Sequence, residues 1–93
     1  MERITQKTLQ AVVDRINRTA GTPFTPYRKS GEKFVAEIGN YHLDYAYGGV
    51  KLVQMSNESG GIRTITTGFV PKRELYNQLH AFLNGLEAGK GAV

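Results

Sequence analysis

Apolar residues recur at two different periods along this 93-residue chain. Leu9, Val12, Val13, Ile16 and Ala20 share one face at helical spacing. Thr5 is a capping residue type just ahead of them, and Ile4 stands where a hydrophobic staple meets Leu9. Gly21 is suited to end the element in a left-handed conformation, so the pattern predicts a helix from about residue 5 to residue 20. Thr22-Pro23-Phe24-Thr25-Pro26-Tyr27 reads as an extended crossover, because each proline fixes its own backbone and disfavours helix in the residue before it. Phe24 and Tyr27 are expected to pin that crossover to the core.

The period then changes to two. Alternate aromatic residues in Tyr41-His42-Leu43-Asp44-Tyr45-Ala46-Tyr47 are bracketed by Gly39-Asn40 and Gly48-Gly49, both hairpin-turn signals. Two-residue turns there set Ile38 opposite Tyr41, Ala36 opposite Leu43 and Phe34 opposite Tyr45, then Tyr47 opposite Val50, Tyr45 opposite Leu52 and Leu43 opposite Gln54. Both turns assign the middle strand the same inner side, giving an inner face of Phe34, Ala36, Ile38, Tyr41, Leu43, Tyr45, Tyr47, Val50 and Leu52. The outer face reads Lys33, Val35, Glu37, His42, Asp44, Ala46, Lys51, Val53 and Met55, apolar enough that something is expected to cover part of it.

After the loop Ser56-Asn57-Glu58-Ser59-Gly60-Gly61, the β-branched run Ile62-Arg63-Thr64-Ile65-Thr66-Thr67 predicts a fourth strand, which Gly68 ends. Pro71 suits a first helical position, and Leu75, Tyr76, Leu79, Phe82, Leu83 and Leu86 make an apolar stripe about four turns long. Two amphipathic helices and one apolar sheet face predict an α+β two-layer sandwich. In it an antiparallel sheet of three to four strands carries the N- and C-terminal helices on one face, in the order α-β-β-β-β-α. The whole chain, residues 1–93, is expected to form one domain, with residues 87–93 as a flexible tail.

Composition narrows the chemistry. The chain has no cysteine, which excludes disulfides, thiolate metal sites and a cysteine nucleophile. No apolar run is long enough to span a membrane and the start lacks a signal-peptide pattern, so a cytoplasmic protein is expected. The net charge of +4 favours an anionic partner without amounting to a polybasic arm.

Lys72 and Arg73 open the last helix, where cations face unsatisfied N–H groups and positive partial charge. A bound anion removes that conflict, and Gly68 lets backbone approach closely; solvent screening, with Glu74 alongside, is the plainer explanation. Gly60-Gly61 and Arg63 form a second candidate, a loop able to wrap a phosphate while Arg63 grips it, or else an ordinary hairpin loop. Tyr45 is read as core, whereas Tyr41 and Tyr47 adjoin turns and stand either in the core or as stacking surfaces for a base. Glu37 falls opposite His42 with Asp44 nearby, a cross-strand ion pair rather than a metal or hydrolytic site. His80 falls off the stripe and reads as surface.

The segments Gly39-Asn40-Tyr41-His42, Ala46-Tyr47-Gly48-Gly49, Pro71-Lys72-Arg73-Glu74-Leu75-Tyr76 and Ala81-Phe82-Leu83 resemble small uncharacterised proteins of tailed bacteriophages. That resemblance covers most of the chain and implies a setting, the blocking of host defences, without implying a site. The order helix, strands, helix with a basic start to the last helix is also similar to double-stranded-RNA-binding domains, although their lysine cluster and alanine-rich helix are missing.

The expected function is non-catalytic binding of a phosphate-bearing small molecule, a nucleotide defence signal in the phage setting, with no cofactor. Lys72, Arg73, Arg63, Gly60, Gly61, Tyr41 and Tyr47 are the expected ligand-binding residues. The alternatives are nucleic-acid binding through the same cations, and inhibition of a host protein through the outer face around Val35, Val53 and Met55. A homodimer or higher homo-oligomer, formed through the outer face or the fourth strand, is compatible with all three.

Overall fold

A computed structural model describes residues 3–91. The order is α1 (Gln6–Ala20), β1 (Tyr27–Ser30), β2 (Lys33–Ala36), β3 (Tyr41–Ala46), β4 (Gly49–Met55), β5 (Ile62–Thr64) and α2 (Lys72–Gly91). This is an α+β arrangement with a helix at each end, as the apolar periods require. The strands form two antiparallel sheets, a β1-β2 hairpin and a three-stranded β3-β4-β5 sheet.

The first helix begins and ends as its sequence dictates. The Thr5 hydroxyl accepts from the Thr8 N–H at 3.2 Å, and Gly21 closes the helix at φ 73°. The last helix has no such cap: the Pro71 carbonyl accepts from Leu75 N–H at 3.0 Å, which makes Pro71 the flanking residue, and proline carries no side-chain acceptor. Helix α2 runs on through residues 87–91, assigned to the tail by sequence; residues 92 and 93 lie outside the described residues.

Both helices cover one face of β3-β4-β5. The core joins Leu9, Val12, Val13 and Ile16 of α1 and Leu75, Leu79 and Leu83 of α2 to Tyr41, Val50 and Leu52. Arg15 of α1 pairs with Glu87 of α2 at 3.1 Å, and Lys72 shares a groove with residues 3–7, so the helices run parallel with their N-termini at one end.

The strand pairing differs from the one the turns suggested. Gly39-Asn40 is not a hairpin turn: Asn40 N–H donates to the Glu37 carbonyl at 3.1 Å with Gly39 at φ 93°, a turn that needs glycine at its third position. Gly39 N–H donates to Met55 O and Asn40 O accepts from Met55 N–H, both at 2.9 Å, which makes a bulge of two residues facing one. Strand β2 therefore pairs with β1, not β3, across a turn at Gly31-Glu32 where Gly31 has φ 63°. Phe34 and Ile38 accordingly leave the expected inner face and stand 71% and 53% exposed.

The second hairpin turns at Tyr47-Gly48 rather than Gly48-Gly49, with Tyr47 at φ 52° and Gly48 at φ 73°. Leu43 now faces Leu52 and Tyr45 faces Val50, a slip of two residues that preserves which side chains point to the helices. Tyr47 is the casualty, 96% exposed at the turn.

On the face away from the helices Val53 and Met55 are buried, whereas Val35 is half-buried on the separate β1-β2 hairpin, so the three do not form the exposed face expected around them. Within residues 22–40, Asn40 Nδ2 donates to the Pro23 carbonyl and Glu37 N–H to the Pro26 carbonyl, both at 2.8 Å, while Phe24 and Tyr27 stand 53% and 47% exposed and do not pin the crossover to the core. The expected Glu37–His42 pair is absent because the two strands do not meet; Glu37 pairs with Arg28 at 3.0 Å.

His42 instead contacts Asn40 Oδ1 through Nδ1 at 3.0 Å. Since Asn40 Nδ2 already donates to Pro23, Oδ1 is the acceptor and Nδ1 carries the proton. Burial holds the His42 imidazole below its usual 6.5, outweighing Asp44 and the bond to Asn40, which raise it. The unfolded chain therefore binds a proton that the folded chain resists, and stability falls as pH drops below about 6.5 towards the depressed folded value. Urea midpoints measured through this window are expected to decline more steeply for the wild type than for His42→Gln.

Candidate functional site

The site is built where three chain segments end together. An isolated bridge between Val50 and Val70, with N–H to carbonyl distances of 2.9 and 3.1 Å, fastens the segment before α2 to the start of β4. Gly49 permits it: a Cβ there would lie 3.1 Å from the backbone of Phe69 and Val70. The first turn of α2 is thereby held beside the β3-β4 turn, and α1 brings its own first turn to the same end.

Lys72 lies between two cavities. One, about 310 Å³, is lined by Tyr45, Ala46, Gly48, Gly49, Val50 and Lys72. The other, about 660 Å³, is a groove lined by Arg3, Ile4, Thr5, Gln6, Lys7 and Lys72. Three cationic side chains, Arg3, Lys7 and Lys72, thus line one groove beside the start of α1, where their charge and the positive partial charge of the helix end favour an anion.

Tyr45 is the aromatic wall of the smaller cavity and is 42% exposed. Burial raises its phenol above the usual 10, and the phenol carries an O–H to donate. Tyr47, by contrast, meets Phe69 edge-on with ring centres 5.6 Å apart, and the Lys51 ammonium sits 4.6 Å from the Phe69 ring centre.

Comparison of the chain with protein-family models, with curated proteins and with solved structures returns no match. The geometry alone must indicate function.

The seven residues expected from sequence do not gather. Lys72 holds its place, and Arg73 is exposed one position along the same helix start. Tyr41 is core: 8% exposed, with Phe82 edge-on at 5.4 Å. Gly60, Gly61 and Arg63 follow the Met55 end of β4, whereas Lys72 adjoins the Gly49 end. A seven-residue strand separates them by about 20 Å.

The Gly60-Gly61 loop is also occupied with itself. Asn57 Oδ1 accepts from the N–H groups of Ser59 at 3.0 Å and Gly61 at 2.9 Å, and the Gly61 carbonyl accepts from Ser56 N–H at 2.8 Å. Arg63 is held by Gln54 Oε1 at 2.9 and 2.6 Å. Those groups serve the hairpin and are not directed at a ligand.

Sequence reasoning missed Arg3, Lys7 and Tyr45. Arg3 and Lys7 flank the Thr5 cap, and only the parallel packing of the helices reveals that they join Lys72. Among the described residues no group of three or more His, Cys, Asp or Glu could hold a metal ion, and no helix is long and apolar enough to cross a membrane.

Proposed function

We propose that this protein is a non-catalytic binder of a phosphate-bearing small ligand of nucleotide type. The observation that carries the reading is the position of Lys72, shared by a basic groove and a cavity with an aromatic wall. Phosphate would lie among Arg3, Lys7, Lys72 and the first-turn N–H groups; the base or sugar would enter beside Tyr45. Binding of this kind needs charge-assisted hydrogen bonds and ring contact and no chemical step. In the setting implied by the resemblance to small tailed-bacteriophage proteins, it would act by holding a nucleotide signal away from a host sensor.

Nucleic-acid binding is a second reading, favoured by one observation. Helix α1, the sequential strands β3-β4-β5 and helix α2, with both helices on one face, follow the order expected of a double-stranded-RNA-binding domain, with the β1-β2 hairpin inserted. Calorimetric titration with a nucleoside monophosphate and with RNA duplexes of increasing length, at low and moderate salt, separates the readings. A single nucleotide site saturates with the monophosphate and loses little affinity with salt. A duplex site gains affinity with length, and log affinity falls against log salt with a slope close to the number of phosphates neutralised. Absence of monophosphate binding at low salt removes the first reading.

A further inference from the structure

Strand β3 has a free edge whose hydrogen-bonding groups can be assigned residue by residue. Leu52 spends its backbone on the β5 side: its N–H donates to Thr66 Oγ1 at 3.1 Å and its carbonyl accepts from Ile65 N–H at 2.9 Å. Val50 likewise exchanges both bonds with Val70. In an antiparallel ladder, residues facing Leu52 and Val50 are then in non-bonded pairs, and those residues are Leu43 and Tyr45. Their N–H and C=O groups point away from β4. Tyr41 points the same way, but Asn17 satisfies it, with Oδ1 accepting from Tyr41 N–H and Nδ2 donating to Tyr41 O, both at 2.9 Å.

The open edge is therefore four groups long, two donors and two acceptors on Leu43 and Tyr45. We infer that β3 pairs with β3 of a second copy of this chain, antiparallel about a two-fold axis through Asp44, joining two three-stranded sheets into one of six strands. In that register Leu43 faces Tyr45 of the other copy and Tyr45 faces its Leu43, so all eight groups are satisfied. An axis at residue 43 would need the Tyr41 groups that Asn17 holds. An axis at residue 45 would pair Leu43 with Tyr47, which is left-handed and in the turn.

The occupant is a second copy because the pattern is self-complementary: donor and acceptor positions map onto themselves under the two-fold, as an isologous interface requires. The edge is also unguarded. Strands β1, β2 and β5 carry Arg28 and Lys29, Lys33 and Arg63, of the type that blunts an edge, whereas Tyr41–Ala46 has no Lys, Arg or Pro. One feature opposes pairing: Asp44 faces its own copy, with Lys51 across from it on β4 tempering the repulsion.

Sedimentation equilibrium over micromolar to millimolar protein tests the proposal. Wild type is expected to shift from 10.3 kDa towards twice that mass. Asp44→Asn is expected to lower the dimer dissociation constant roughly twofold to fivefold. Tyr45→Pro, whose lost N–H has no partner in β4 and is therefore tolerable within the monomer, is expected to raise it at least about tenfold. Hydrogen exchange of wild type supplies a readout independent of any variant, the Leu43 and Tyr45 amides being protected at high concentration and exposed on dilution. Monomer mass throughout, or a dimer that survives Tyr45→Pro with the Leu43 and Tyr45 amides exchanging freely, overturns the inference.

Discussion

Lys72→Glu is expected to lower affinity for a nucleoside monophosphate at least about tenfold while leaving the fold as stable as before or slightly more so. A hydrogen bond to a charged group contributes about 1.5–3 kcal/mol, and each 1.4 kcal/mol is about tenfold in affinity. Reversal of charge adds repulsion to that loss. The same change places a carboxylate in the first turn of α2, next to Glu74, where the helix dipole favours it by about 0.3–1 kcal/mol. Binding and stability are thus expected to move in opposite directions, which a merely damaged protein cannot do. Calorimetric titration and thermal unfolding of one preparation read both.

Asn17→Leu is expected to be the most destabilising single substitution considered, at about 2–6 kcal/mol, read as a lowered urea midpoint. Asn17 is fully buried, and its amide joins α1 to β3 through both backbone groups of Tyr41 while its Oδ1 also accepts from Thr22 Oγ1 at 2.7 Å. Leucine is similar in size but offers no partner, so a buried N–H and C=O lose their hydrogen bonds, each loss costing about 1–3 kcal/mol. For a small domain with roughly 5–15 kcal/mol of total stability that is a large share. The same bonds hold α1 in register with the sheet, and the register positions Arg3 and Lys7 beside Lys72.

The helices were legible because each is written locally. Leu9, Val12, Val13 and Ile16, and Leu75, Leu79 and Leu83, are buried as their spacing requires, and Thr5 and Gly21 cap as their chemistry suggests. The second hairpin survived an error in its turn because a slip of two residues keeps the faces. Gly39-Asn40 misled because glycine with φ above zero serves a hairpin, a bulge and a type II turn alike. What decides among them is the distant Met55 backbone and the Pro23 carbonyl, which no local pattern shows. The β1-β2 hairpin went unread for a related reason: its side chains are mostly exposed, so Tyr27–Ser30 lacks the alternation of a half-buried strand.

The candidate site was legible at one residue. The oddity of two cations, Lys72 and Arg73, in the first turn of α2 is local, and of the two Lys72 lines both cavities. Its partners come from α1, nearly seventy positions away in the chain, and from the turn after Tyr45, so only tertiary packing assembles them. Glycine-rich composition drew attention to Gly60-Gly61, where the N–H of Gly61 is already bound to Asn57.

The most direct test is a map of backbone amide shifts by nuclear magnetic resonance during titration with a nucleoside monophosphate at low salt. Saturable shifts centred on residues 3–7, 45–50 and 72–74, and absent from the same titration of Lys72→Glu, are the predicted result. No saturable shift, or shifts confined to residues 57–63, would contradict an anion site at the paired helix starts.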